Sequence, residues 1–145
     1  MAIPNSYDIL QAVIEATPDA IFVKDLEGRY VLVNAAAARF IGKAPADIVG
    51  RDDFELYPEE TARRFMKDDQ EVLAGGKAMS FEGVATSSAG TQAYLVTKGV
   101  FRDNDGNILG IYGISHDITE LRTAQDSSRR GRRCFDRRRW KRSAS

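Results

Sequence analysis

TQAYLVTKGVFRDNDGNILGIYGISHDITE, residues 91–120, holds two strand-like runs, a turn and a helix start in one unbroken stretch. Tyr94, Val96, Thr97, Val100 and Phe101 are β-branched or aromatic, and so are Ile108, Ile111, Tyr112 and Ile114. Such residues fit a pleated, half-buried surface. Between the runs, Asp103-Asn104-Asp105-Gly106 supplies residues that tolerate positive φ, so the chain can reverse. Asp117-Ile118-Thr119-Glu120 then sets a capping residue three positions before a Glu, the spacing of a capping box. The last strand therefore passes straight into an outgoing helix, which gives a mechanical route out of the sheet.

Working outward, residues 6–16 form an amphipathic pattern with Ile9, Leu10, Val13 and Ile14 at helical spacing. Thr17-Pro18 ends it. Ala20–Lys24 and Arg29–Val33 read as a hairpin around Asp25-Leu26-Glu27-Gly28, and Asn34 caps a helix that Gly42 closes. One helical turn follows at 45–49 and another at 52–56. A longer helix starts at Pro58 and stops at Gly75-Gly76. Met79–Thr86 is a further strand. Strand residues cluster at both ends, so the two groups must meet across the middle helices. The expected fold is α+β: a five-stranded antiparallel sheet, short helices grouped on one face, an N-terminal amphipathic helix and a C-terminal exit helix. Helix 6–16 or a second chain is expected to cover the other face. The segments are a capping helix at 1–17, a domain at 18–117, the start of an exit helix at 118–125 and a disordered basic tail at 126–145.

The formal net charge of zero averages two unlike parts. Residues 1–125 hold 12 Lys and Arg against 19 Asp and Glu, a net of −7, and residues 126–145 hold 9 against 2, a net of +7. The tail lacks apolar periodicity. Its arginines and Trp140 allow phosphate contacts with nucleic acid or an anionic membrane. The abrupt change of composition after Gln125 favours a truncated or out-of-frame reading instead. The single cysteine, Cys134, cannot form an intrachain disulfide. No apolar run approaches the ~20 residues of a membrane span, and the N-terminus is no signal peptide. A cytoplasmic location is expected.

Catalytic signatures are missing. The sequence has no GxSxG, phosphate-binding loop, HExxH or Cys/His cluster. Asp52-Asp53 and Asp68-Asp69 read as solvated helix residues, so no enzymatic activity is expected.

The blocks Asp19–Asn34, Ile48-Val49-Gly50 and Gly110–Glu120, in this order, resemble the PAS sensor domains of bacterial and archaeal signalling proteins. The resemblance spans about residues 7–122. It implies a sheet cupping a pocket, frequent homodimers, and downstream effectors such as histidine kinases, nucleotide cyclases or transcription regulators. No effector is visible in this chain. Haem-binding members carry a proximal His on the long helix, and residues 58–74 hold none. His116, at the end of the last strand, reads as a surface or hinge residue. The photosensors' adduct-forming Cys is replaced by Asp53 in Gly50–Leu56. Neither haem nor flavin is expected.

A small organic ligand fits what remains. Candidate walls are Phe40, Phe54, Phe65, Met66 and Leu73 from helices, and Phe81, Tyr94, Val96, Tyr112 and Ile114 from strands. Lys98 shares a strand face with Tyr94 and Val96 and suits a carboxylate. Equally, these side chains can simply fill a core, and Tyr94 and Tyr112 can face a dimer partner. Asp117, Thr119 and Glu120 are the expected relay, with Asp117 capping the exit helix and Glu120 reciprocating. Ile118, Leu121 and Gln125 suggest the start of a coiled-coil seam.

Overall fold

Two turns of the same chemistry frame the sheet of the computed structural model, which describes residues 5–130. In each, an Asp carboxylate accepts from the backbone two and four residues on, and a Gly takes the left-handed conformation. Asp25 Oδ1 accepts from the N–H of Glu27 and Arg29, and Gly28 has φ +81°. Asp103 Oδ1 accepts from Asp105 and Asn107, and Gly106 has φ +87°. The first turn joins β1 (Ala20–Asp25) to β2 (Tyr30–Val33), and the second joins β4 (Gly90–Arg102) to β5 (Ile108–Asp117). With β3 (Met79–Ser87) they form one five-stranded antiparallel sheet in the order β2-β1-β5-β4-β3. The α+β fold and the meeting of the two strand groups, through β1 and β5, agree with the sequence reading.

Between the groups lie α2 (Ala35–Ile41), a single 3-10 turn at Pro45–Asp47, α3 (Asp53–Leu56) and α4 (Glu59–Gly75). Asn34 caps α2 and Gly42 closes it at φ 82°. Asp52 and Glu55 build a reciprocal capping box on α3, which satisfies two orphan donors of a very short helix. These helices pack on one face of the sheet. Ala37, Ile41, Leu56, Tyr57, Ala62 and Phe65 join Ala20, Ala85, Tyr94 and Val96 in the core.

The strand register assigns the faces. Ala20, Phe22 and Lys24 pair with Ser115, Gly113 and Ile111, and Val96 and Lys98 lie opposite Ser115 and Gly113. Side chains alternate along a strand, so these residues share the inner, helix-covered face. Ile21, Val23, Leu95, Thr97, Tyr112 and Ile114 point the other way. Tyr112 and Ile114 are thus outer-face residues, which corrects their expected place in a pocket. A strand apolar at both parities cannot announce which set faces inward.

Two glycines let aromatic rings lie flat across β-strands. A Cβ at Gly99 would come within 2.5 Å of the Tyr112 ring on the outer face, and one at Gly113 would overlap the Phe22 ring on the inner face.

The leading helix α1 spans Ser6–Ala16, as its periodicity requires, with Asn5 as N-cap. It does not cover the outer face. None of its residues is buried, and Leu10 and Val13 are 60% and 61% exposed. Val84, Leu95 and Ile114 on the outer face are exposed as well. The closing helix α5 (Thr119–Arg130) runs five residues beyond Gln125. The remainder of the basic tail, with Cys134 and Trp140, lies outside the described residues.

Gly113→Ala should destabilise the domain by about 1–3 kcal/mol, because overpacking forces the Phe22 ring to move. Urea denaturation checks this, and Phe22→Leu in the same chain should recover most of the loss.

Candidate functional site

Inside the cup, four charges from four elements meet. Lys24 comes from β1, Asp53 from the first residue of α3, Asp69 from α4 and Lys98 from β4. Lys24 Nζ donates to Asp53 Oδ2 at 2.5 Å and to Asp69 Oδ2 at 2.8 Å. Lys98 Nζ donates to Asp69 Oδ1 at 2.8 Å. The Tyr30 hydroxyl donates to Asp53 Oδ1 at 2.6 Å. All four charged residues are at most 7% exposed. Asp53 and Asp69 are therefore not the solvated helix residues expected of them. In each adjacent pair the first Asp is only partly covered and the second is buried.

The electrostatics follow from the count of partners. Burial pulls the Lys24 ammonium down, but the Asp53 and Asp69 carboxylates outweigh it and leave its pKa raised. Burial pushes the Asp69 carboxyl up, but Lys24 and Lys98 together hold it below the usual range. Burial, with the nearby Lys24 charge, outweighs the bonded Asp69 and the Asp53 charge and leaves the Lys98 pKa lowered. Burial, followed by the charge of Asp53, pushes the Tyr30 hydroxyl well up and keeps it a donor. The Lys98 ammonium also lies 5.1 Å from the Phe65 ring centre and 5.8 Å from that of Phe81, within cation–π range.

Next to the quartet is a cavity of about 30 Å³. Of the residues expected to wall a pocket, Phe40, Phe65, Tyr94, Val96 and Lys98 line it. Phe81 packs against the core beside them. Met66 and Leu73 line a separate hollow of about 80 Å³ between the β1–β2 turn and α4, which shares Lys24 with the first. Phe54 is 44% exposed and lines neither. It lies next to Asp53, and a four-residue helix turns only one side inward.

Ala20, Phe22, Lys24, Tyr30, Tyr57 and Ser115 also line the central cavity and were not anticipated. The signal for some was present. Lys24 follows Ala20 and Phe22 at period two. Asp69 falls four residues after Phe65 and three before Val72, on the stripe that α4 buries.

The residues expected to form a relay sit at the root of α5. Asp117 Oδ1 accepts from the Thr119 N–H at 2.8 Å, so it caps one residue earlier than a capping box requires. The reciprocal Glu120 contact is absent among the described residues. Thr119 Oγ1 instead accepts from the Ala93 N–H at 3.0 Å, and the Ile118 N–H donates to Ala93 O at 2.9 Å. The outgoing helix is thereby stitched to the middle of the sheet. Ile118 is 6% exposed, so it belongs to the domain and not to a free coiled-coil seam. His116, on the outer face, pairs through Nδ1 with Asp19 at 2.7 Å.

Asn34 joins α1 to this assembly. Its Oδ1 accepts from Ile21 N and Ala37 N, and its Nδ2 donates to Ile14 O and Asp19 O, all at 2.8–2.9 Å. One buried amide thus ties the leading helix, the first strand and the cavity-lining helix α2.

A sheet that cups a cavity under short helices, with both terminal helices tied to it, is the architecture of a sensor module. A family model described as the PAS fold matches residues 14–123, and the chain belongs to that family. The methanogenesis regulatory histidine kinase FilI of Methanothrix harundinacea is 31% identical over 114 residues, 79% of this chain and 13% of the kinase. The aerobic respiration control sensor ArcB of Escherichia coli is 25% identical over 125 residues, 86% of this chain and 16% of that protein. The chain therefore spans a small fraction of the curated relatives it matches. Among solved structures, Vibrio cholerae VqmA, in complex with a ligand and DNA, superposes with a TM-score of 0.71 at 27% identity, over 80% of this chain and 53% of that one. The PAS domain of Bordetella pertussis BvgS shares the fold, with a TM-score of 0.66 at 23% identity over 87% and 98%.

Three measurements check the site. Lys24→Met leaves Asp53 and Asp69 undercompensated and should cost about 3–5 kcal/mol in chemical denaturation. The contribution of Asp69, whose native pKa lies below the ordinary aspartate value of about 3.9, is fully present above that value and disappears as pH falls through the lower native one. Urea midpoints taken between about pH 2 and 6 should therefore drop steeply in acid, and less so in Asp69→Asn. Thr119→Val should speed hydrogen exchange at the Ala93 amide about fivefold, the equivalent of one lost hydrogen bond of roughly 1 kcal/mol.

Proposed function

We propose that this domain is the sensory input of a signalling protein: a small organic ligand occupies the cup, and α5 carries the response to an effector. The observation that carries this reading is Lys98. A cation at 3% exposure, among aromatic rings and beside a cavity, is an expensive arrangement for a core that only had to be filled. The histidine kinase relatives support an effector of that kind, and the ligand-bound VqmA neighbour supports a transcription regulator. Asp117, Thr119 and Ala93 form the connection by which a change in the sheet reaches α5. Asp117→Ala in an intact sensor should therefore weaken the response of output to input, read as effector activity with and without stimulus.

Pairing with a second copy through the outer face belongs to the same reading. Val84, Leu95 and Ile114 form an exposed apolar surface, and the uncovered stripe of α1 adds Leu10 and Val13. Ile114→Arg should shift the protein toward monomer in sedimentation velocity while leaving its circular dichroism spectrum unchanged.

A second reading, a ligand-free interaction module, is favoured by the small size of the cavity, about 30 Å³, room for about two waters. Native mass spectrometry of protein purified from its host separates the two. A stoichiometric adduct that leaves on unfolding supports the sensor, and a bare mass from every growth condition supports the module.

A further inference from the structure

We propose that the central cavity selects uncharged ligands bearing a hydrogen-bond acceptor, and that this acceptor seats on Lys98. The inference rests on the ligand-sensing reading and gives it a chemical class. Lys24, Lys98, Asp53 and Asp69 sum to zero charge, yet the two lysines are unequally served. Lys24 Nζ meets two carboxylates, whereas Lys98 Nζ meets Asp69 alone among the described residues. An ammonium has three donors, so Lys98 retains two, and it lines the cavity. The nearby faces of Phe65 and Phe81, 5.1 and 5.8 Å away, compensate only in part. The lowered pKa of Lys98 has the same origin, burial with too few acceptors.

An acceptor in the cavity completes Lys98. A carbonyl or ring nitrogen does so without adding charge. A carboxylate brings a fifth charge into a set that is already neutral. It loses its water among Phe22, Phe40, Phe65 and Val96, and the charge of the ammonium it would pair with is already balanced by Asp69. An amine meets the two lysines and gains no carboxylate, because Asp53 and Asp69 are engaged and Asp68, which also feels the Lys98 charge, does not line the cavity. Removing charge from water without a dedicated counter-charge is the dominant cost in such a site. The expected lysine–carboxylate pairing is thus supplied from within the protein, by Asp69, and leaves the neutral ligand as the better fit. The ligand is either a few heavy atoms in size or moves the surrounding rings on entering.

Matched pairs of nearly equal shape test this: acetamide against acetate, and nicotinamide against nicotinate. Binding is read by NMR at the Val96 and Ser115 resonances at neutral pH. In the wild-type protein at least one amide should bind ten times or more tightly than its carboxylate. Asp69→Asn removes one negative charge and should shift the ratio at least tenfold toward the carboxylate. Lys98→Met, which serves even if Asp69→Asn fails to fold, should lose amide binding at least tenfold while its spectrum stays dispersed. A carboxylate that binds the wild type as tightly as its amide overturns the charge rule and leaves ligand sensing standing. Undiminished amide binding in Lys98→Met overturns the anchor. If no probe binds any form and the native protein carries no adduct, the sensing reading falls and this inference falls with it.

Discussion

Asp69 holds two lysines at once, and the rest of the domain is arranged around that contact. Its two oxygens reach Lys24 on β1 and Lys98 on β4, strands separated by β5 in the sheet. Lys24 then takes Asp53 at the head of α3, and Asp53 takes the hydroxyl of Tyr30 on β2. One chain of charge-assisted bonds thus fastens the two central helices to the strands beneath them. Such a device is rarely the cheapest way to stabilise a core, since apolar side chains of equal volume often do as well. What it adds is geometry: the bonds fix where α3 and α4 sit over the sheet, and hence how much room the cup contains.

The scaffold was largely legible in the sequence because it is written in local chemistry. Asp25 and Asp103 with Gly28 and Gly106 mark the turns, Asn34 and Gly42 bound α2, and period-two apolar runs mark the strands. The meeting of β1 with β5 followed from the order of elements. The site was less legible, for two physical reasons. Strands β4 and β5 are apolar on both faces, so Tyr112 and Ile114 looked as eligible for the interior as Tyr94 and Val96. Buried charges also look like surface charges until their partners are known, and the partners of Lys24 lie 29 and 45 residues away. Only the period-two spacing of Lys24 with Ala20 and Phe22, and the helical spacing of Phe65, Asp69 and Val72, pointed inward.

A histidine kinase and a DNA-bound protein contain similar domains. In this chain the cup holds the quartet with its unevenly served lysines, and the root of α5 is stitched to β4.

The fourfold-bonded amide of Asn34 has a practical corollary. It grips the carbonyl of Ile14, while Thr119 and Ile118 hold Ala93 at the opposite end of the polypeptide path. Neither helix can change its phase close to the domain without breaking one of these bonds. For anyone splicing this module onto a foreign receptor or enzyme, the usable seams therefore lie upstream of Ile14 and downstream of Thr119. Residues inserted there rotate the fused partner, whereas residues inserted at Ile14 or Thr119 themselves break the bonds that hold the helices to the sheet.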